Sequence, residues 1–556
     1  MASSRVLPEP APAGPLHGPD RSAGPDVVLI GYQDQGNLGM GYLAAVLQER
    51  GRTVDLIDVR EGPQRIAARL AAAQPLVVGF SLIFQFFLPQ FREVAAELRR
   101  AGVTSHFTIG GHYASLCHDE LLPQMPELDS VARYEGEHTL AELVDRLAEG
   151  ADWRSTPGLA FVRDGAVAES PPRALVQDLD TLPFPYRPHA PETIVGFPTA
   201  PLLASRGCAR RCSFCSIHTF YRTAPGKVVR VRKAETVVEE MGLLHREQGV
   251  RVFLFQDDDF PLWGRAGRKW VDELAGRLHD TGLAERTIWK ISCRAEYVEP
   301  ELFAALREAG LFLVYMGIES GVESGLEILF KQMTVEQNLT GVRVLKDVGL
   351  LFSYGFMLFD PSSTFESVRA NVGFLRQIVG DGSAAATFCR MLPYGGTPIR
   401  DRLKLEGRLR GDVTRPDYDF LDPRLNDYYH RLKAVSGHWV GDEGLSHELN
   451  WAWDEFETVG RLAPGLTGTG EYRRALADLT ATANEELFGT IEASAAAFEG
   501  GDASLLDPEP GRTFCQDVRD RLLGLRNGFF LANVDALTEA IDLGAVRGPV
   551  LQPHVH

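Results

Sequence analysis

Twice along the chain, short apolar runs ending in glycine or carboxylates alternate with stretches of helical periodicity, and this rhythm restricts the fold more than any other feature. Within residues 26–150 the runs are 26–31, 54–58, 76–81, 107–111 and 130–134, with helical stretches such as 40–50, 64–73 and 90–101 between most of them. Strands joined by crossover helices pair in parallel, so this part is predicted as a Rossmann-like, doubly wound α/β domain. Ligands of such sheets bind beyond the carboxyl ends of the strands. Within residues 196–400 the runs 250–256, 287–293, 311–317, 351–358 and 384–391 follow an apolar strand before Cys208. Six βα units predict a partial (β/α)6 TIM-like barrel, whose reacting groups belong at the C-terminal strand ends.

Other segments divide the chain further. Residues 1–25 are rich in proline, alanine and glycine, lack the apolar core of a secretory signal, and are expected to be disordered. Residues 151–195 carry a hairpin pattern around Asp164-Gly165 and a run of prolines from 183 to 191, the composition of a linker. Residues 401–556 read as a mainly helical domain, in which Tyr418, Tyr428, Tyr429, His430, Trp439, Trp451 and Trp453 are expected to pack helices in preference to lining a substrate pocket.

Three of the seven cysteines, Cys208, Cys212 and Cys215, fall within eight positions on the loop after the first barrel strand. A C-x3-C-x2-C set wraps one face of a metal centre and leaves a position without a cysteine. Two readings stand on spacing alone: a zinc site closed by His218, or an iron–sulfur cubane with one open iron. Cys293, Cys389 and Cys515 lie in apolar contexts and read as small buried hydrophobes, while Cys117 is left unassigned. Carboxylates gather at the predicted barrel strand ends, at Asp257, Asp258, Asp259, Glu296, Glu319 and Asp360, beside Arg294 and Ser320.

A net charge of −18 argues against a nucleic-acid-binding surface, and Arg210, Arg211, Arg230, Arg232 and Lys233 read as solvated or salt-bridged surface. No apolar run approaches the roughly 20 residues of a membrane span. A cytoplasmic location is expected, where thiols stay reduced.

The cysteine spacing, with Phe214 immediately before the last cysteine, resembles the signature of the radical S-adenosylmethionine (SAM) superfamily. Upstream, Asp34, Gly36 and Gly39, then Ser81 with Leu82, Gly110-Gly111 and Gly136-Glu137 resemble the cobalamin-binding domain fused to many of these enzymes. The resemblance, to the cobalamin-dependent radical SAM family, covers about residues 26–400. It implies a [4Fe-4S] cluster on Cys208, Cys212 and Cys215, with SAM chelating the open iron. It implies cobalamin against Gln33, Asp34, Gly36, Gly39, Ser81, Leu82, Gly110, Gly111, Gly136 and Glu137. Cobalamin-dependent mutases place a histidine beneath cobalt, where this chain has Gly36, so a base-off cofactor without a histidine from that loop is implied. His112 stands either at the border of the cobalamin tail or as an ordinary hydrogen-bonded histidine.

Around SAM the resemblance implies that Phe214 meets the adenine, Arg294 the carboxylate or ribose, and Glu319 and Ser320 the ribose. The family's Gly-Gly-Glu motif for the ammonium is replaced by Gln256-Asp257-Asp258-Asp259. That duty is assigned to Asp257 or Asp258, with Asp259 toward substrate. The implied activity is methyl transfer from SAM, by way of methylcobalamin, to an unactivated carbon of a small molecule. A natural-product intermediate, as in antibiotic biosynthesis, is the expected substrate, and a flavodoxin or ferredoxin the expected electron donor. The same motifs serve cyclases and rearrangement enzymes, and a non-catalytic cobalamin sensor would leave the cysteines unused.

Overall fold

The computed structural model describes residues 24–33, 37–502, 504 and 506–544; most of the expected tail, and the Asp34 to Gly36 segment, lie outside the described residues. The first sheet is seven-stranded, in the order β2-β1-β3-β4-β5-β6-β7. It comprises β1 (Val27–Gly31), β2 (Val54–Asp58), β3 (Val77–Ser81), β4 (His106–Gly110), β5 (Ser130–Ala132), β6 (Leu159–Arg163) and β7 (Ala166–Glu169). The first five run parallel. Val27, Val28, Leu29 and Ile30 are all buried, as helices covering both faces of a parallel sheet require. Helices Leu38–Glu49 and Glu137–Ala148 pack together on one face, and Pro63–Ala73 and Leu88–Arg100 on the other.

The hairpin expected in a linker belongs to this sheet instead. β6 pairs antiparallel with β5, through Val131↔Ala160, and β7 with β6. Its turn at Asp164 and Gly165 has positive φ at both residues, 51° and 79°, the geometry that matches the twist of the flanking strands. Burying Leu159, Ala160 and Phe161 against the domain core outweighs leaving the hairpin in solvent. The true connection is the proline-rich stretch that follows.

The second sheet has the order β16-β15-β14-β13-β12-β9-β8. β8 (Thr193–Ile194) is a short antiparallel edge; the six parallel strands are β9 (Phe197–Leu202), β12 (Val252–Phe255), β13 (Ile288–Cys293), β14 (Leu311–Glu319), β15 (Leu351–Phe359) and β16 (Cys389–Arg390). Two further short strands, β10 (Ser205–Arg206) and β11 (Arg230–Val231), pair with each other on either side of the cysteine loop.

The last barrel strand is shorter than the apolar pattern 384–391 predicts, and the reason is competition for backbone groups. Ala385 N–H donates to the Asn450 side chain (2.9 Å) and Ala386 N–H to the Asn484 side chain (2.7 Å), both from C-terminal helices. Those helices (Pro423–Val440, Leu445–Leu462, Thr469–Glu499, Pro508–Ala532 and Val534–Gly544) pack against the barrel, with Tyr429 of the first on Phe359 at the C-terminal end of β15. Arg251, just before β12, donates to the carbonyls of Ala540 (3.0 Å) and Leu462 (3.4 Å). Tyr428, Trp439 and Trp453 are buried on helices, whereas Tyr418 is buried at the barrel edge, its hydroxyl donating to Phe359 O (3.3 Å). Cys389 departs from expectation: it is exposed on the short edge strand, whereas Cys293 and Cys515 are buried. Among the described residues no helix is long and apolar enough to cross a membrane.

Asn484 accepts from Ala386 and donates to the carbonyls of Val379 (2.7 Å) and Ala384 (3.0 Å), which ties the helical domain to the barrel edge. Asn484→Ala leaves these buried groups unpaired, at a cost of about 1–3 kcal/mol. A melting temperature lowered by several degrees is expected in thermal denaturation, and an unchanged one would contradict this role.

Candidate active site

The C-terminal strand ends of the two sheets enclose one cavity of about 460 Å³. From the first sheet it is lined by Gly39, Ser81, Gly110, Gly111, Gly136 and Glu137, all expected, and also by Tyr42, His112 and Tyr134. From the barrel side come Leu203, Arg206, Phe220, Tyr221, Gln256 and Asp258. The cavity reaches the middle of the first sheet because Gly79 has no side chain there: a Cβ would stand 2.7 Å from Leu29 Cδ2. Gly111 is required by its backbone, with φ of 109° and a Cβ position 2.2 Å from the Leu82 carbonyl oxygen.

Two expected residues sit elsewhere. Leu82 is fully buried and serves the sheet, its N–H donating to Gly110 O at 2.8 Å. Gln33 lines a smaller pocket beside the proline-rich connection, with its N–H donating to Asp58 (3.2 Å). Nothing in the sequence singled out Tyr134, Phe220, Tyr221 and Arg206, because the wall they form exists only where two domains meet.

The cysteine loop adjoins this cavity. Gly207, with φ of 86°, opens it where a Cβ would stand 2.0 Å from Val228 O. The loop is pinned farther along by Ser213, which donates to the carbonyls of Leu329 (2.9 Å) and Ile328 (2.8 Å) and accepts from Ile399 N–H (3.0 Å). Phe214 packs half-buried against the barrel core. Burial raises the Cys208 thiol, helped by Asp259, and the Cys215 thiol, helped by Cys212, each to about 12. They become thiolates only when a cationic centre takes up their charge. His218 Nδ1 lies 3.0 Å from the Cys215 carbonyl oxygen. Among the described residues no three His, Cys, Asp or Glu side chains converge on a single point. The sulfurs around a cubane stand farther apart than the ligands of one ion.

The three aspartates after β12 diverge. Asp257 is buried and fully engaged, accepting from Ser205 Oγ (2.5 Å) and Ala204 N–H (3.2 Å). Asp258 accepts from Gly207 N–H (2.9 Å) and lines the shared cavity. Asp259 instead faces the thiols: its Oδ2 lies 3.8 Å from Cys208 Sγ, and its buried Oδ1 has no hydrogen-bond partner. Burial raises Asp257 and Asp259 to about 7 and Asp258 to about 6. For Asp259 the neighbouring Arg294, Lys331 and Arg210 oppose that rise.

Arg294 is buried, donating to Glu296 (3.1 Å) and to Lys331 O (2.6 Å). Glu319 ends β14 at a register shift with a strained φ of 67°, and Lys331 Nζ donates to it at 3.0 Å. The Ser320 hydroxyl is fully buried toward Asn371 (3.3 Å) and the Val322 carbonyl, so it belongs to the turn and not to the open site. Arg230 and Arg232 also depart from expectation: both are buried in ion pairs, with Glu135 (2.8 Å) and Glu240 (2.6 Å).

The chain matches two families, the B12 binding domain over residues 25–144 and the radical SAM superfamily over 202–375. It is 30% identical over 368 residues to an uncharacterized methyltransferase of Pyrococcus horikoshii, covering 65% of this chain and 77% of that one. It is 26% identical to the anaerobic magnesium-protoporphyrin IX monomethyl ester cyclase of Rubrivivax gelatinosus, covering 59% of this chain and 60% of the cyclase. The fold matches the cobalamin-dependent SAM radical enzyme OxsB, solved with aqua-cobalamin and SAM, at a TM-score of 0.65, 17% identity, and coverage of 94% and 83%.

The residues fit the groups these families take. The cavity cut into the first sheet at Gly79 suits an inserted tail. Its wall offers cobalamin polar atoms without protein partners, Glu137 Oε2 and His112 Nε2. Burial lowers His112 to about 4, so it is neutral at pH 7. The three thiols suit a cluster, and the unpaired Asp259 oxygen beside them suits the ammonium of SAM. Protein in which Cys208, Cys212 and Cys215 are all changed to alanine is expected to lose its iron while still binding hydroxocobalamin; iron retained near four per chain after anaerobic reconstitution would contradict the assignment. This chain is a member of the cobalamin-binding radical SAM enzymes, a B12-binding domain joined to a radical SAM domain.

Proposed function

We propose that this enzyme is a methyltransferase that acts on a small molecule held between its two cofactors. One observation carries the reading: a single cavity has the cobalamin loops on one wall and the strand ends beside the cysteine loop on the other. When bound, the cluster supplies an electron to the sulfonium of SAM, and cobalamin supplies a carrier for a methyl group. The protein's part is placement, since two reactants held in one cavity react with the advantage of proximity.

Beside the cysteine loop, next to that cavity, Asp259 takes the SAM ammonium, in place of the Asp257 or Asp258 expected from the sequence. Both oxygens of Asp257 are engaged, and Asp258 turns to Gly207 and the cobalamin side. Arg294, fixed by Glu296 and the Lys331 carbonyl, takes the SAM carboxylate or ribose. Glu319, steadied by Lys331, is placed toward the ribose. Phe214 is placed against the adenine. Phe220, Tyr221 and Tyr134 give the cavity an aromatic wall. All seven cysteines are free, which fits a reducing cytoplasm, and an external flavodoxin or ferredoxin completes the electron supply.

Similarity to a ring cyclase supports a second reading, turnover without methyl transfer. Anaerobic incubation of the reconstituted enzyme with methyl-labelled SAM and a small-molecule extract separates the two. Label in a new product is expected; extract-dependent 5′-deoxyadenosine with no label in any product would favour ring closure. Asp259→Asn is expected to weaken SAM binding about tenfold, the order of one charge-assisted hydrogen bond. Iron content should be unchanged, and Asp257→Asn should leave SAM affinity within about twofold. Equilibrium dialysis with labelled SAM checks both, and the reverse ranking would contradict the assignment.

A further inference from the structure

The cobalamin-binding wall and the cysteine loop are joined by one side chain. Arg206 is buried two residues before Cys208, and its guanidinium reaches across the domain boundary to Glu137 (2.7 Å) and Glu135 (3.2 Å). Both carboxylates follow β5 in the first sheet, and both line the cavity with Arg206 itself. The guanidinium also lies over the Tyr42 ring, 4.9 Å from its centroid, on the helix Leu38–Glu49.

Little slack exists on either side of this contact. Arg206 is held in β10 by pairing with Arg230, and Arg230 is paired with Glu135 at 2.8 Å. The next residue, Gly207, donates to Asp258 at 2.9 Å and has no room for a Cβ. A shift of the cysteine loop therefore moves the guanidinium, and a shift of the guanidinium moves the cavity wall.

Glu137 is only half satisfied. One oxygen holds Arg206, while Oε2 is buried without a partner beside the cobalamin cavity. An ion pair that merely fastened two domains would gain by pairing both oxygens. Here the second oxygen is left to a ligand of the cavity, so that ligand and Arg206 act on the same carboxylate.

We propose that Arg206 is a positioning residue that couples the two cofactor sites, so that cobalamin binds more tightly when the cysteine loop carries its cluster. The inference rests on the cofactor assignment above. The loaded loop fixes Arg206 against Glu137, and cobalamin then meets a wall already ordered for it. By linkage the preference is reciprocal: bound cobalamin raises the affinity of the loop for its cluster by the same factor.

The test is a spectrophotometric titration with hydroxocobalamin, comparing the cluster-reconstituted protein with the same protein after iron chelation. Wild type is expected to bind about tenfold more tightly in the loaded form, within the usual range of coupling between sites. Arg206→Met should bring the two dissociation constants to within about twofold of each other, and Arg206→Lys, which keeps the charge without the fork, should restore part of the difference. Glu137→Gln, which keeps the shape at the other end of the contact, should also shrink the ratio. Equal wild-type constants would overturn the proposal, as would a tenfold ratio surviving in Arg206→Met with only thermal stability reduced. Absence of cobalamin binding in both forms would remove the cofactor assignment and the coupling with it, whereas binding with no coupling removes the coupling alone.

Discussion

A buried ion-pair network at the meeting of two sheets sets the geometry of everything functional in this protein. Arg206 and Arg230 from the barrel side face Glu135 and Glu137 from the first sheet, all four shielded from solvent. Such groups are costly to bury singly and tolerable only together, so the pairing fixes how the two domains meet. Asp258 is the surplus carboxylate of the group, and burial raises it accordingly. With this contact in place, both sets of C-terminal strand ends look into the same cavity.

The βα rhythm made the architecture legible because parallel strands buried on both faces are continuous runs of valine, isoleucine and leucine. Where local pattern met long-range competition, the sequence misled. The run at 384–391 is as apolar as a strand, yet Asn450 and Asn484 take its backbone donors, and neither asparagine is near in sequence. The hairpin around Asp164 was recognisable by its turn, but its membership in the first sheet depends on Val131, some thirty residues earlier.

The candidate site was legible in its glycines and cysteines, whose spacing reflects close backbone approach and metal geometry. It was not legible in its charges. Three consecutive aspartates cannot be told apart by composition, and only their directions divide them among strand, shared cavity and thiols. Arg206 carried no local signal, since its partners lie about seventy residues upstream. Ser320 looked like a ribose contact but closes a turn against Asn371.

In the proposed reading the chemistry belongs to the cofactors and the selectivity to the cavity between them. The helical C-terminal domain braces the barrel, at Arg251 before β12 and at Asn484 beside the last strand. The most direct test of the account is an anaerobic crystal structure with cobalamin and SAM bound. The account predicts the cobalamin tail beside Gly79, the corrin near Gly110 and Glu137, and the reacting faces of both cofactors opening into one space bounded by Arg206 and Asp258. Cobalamin bound away from that space, with protein filling the gap between it and the cysteine loop, would contradict it.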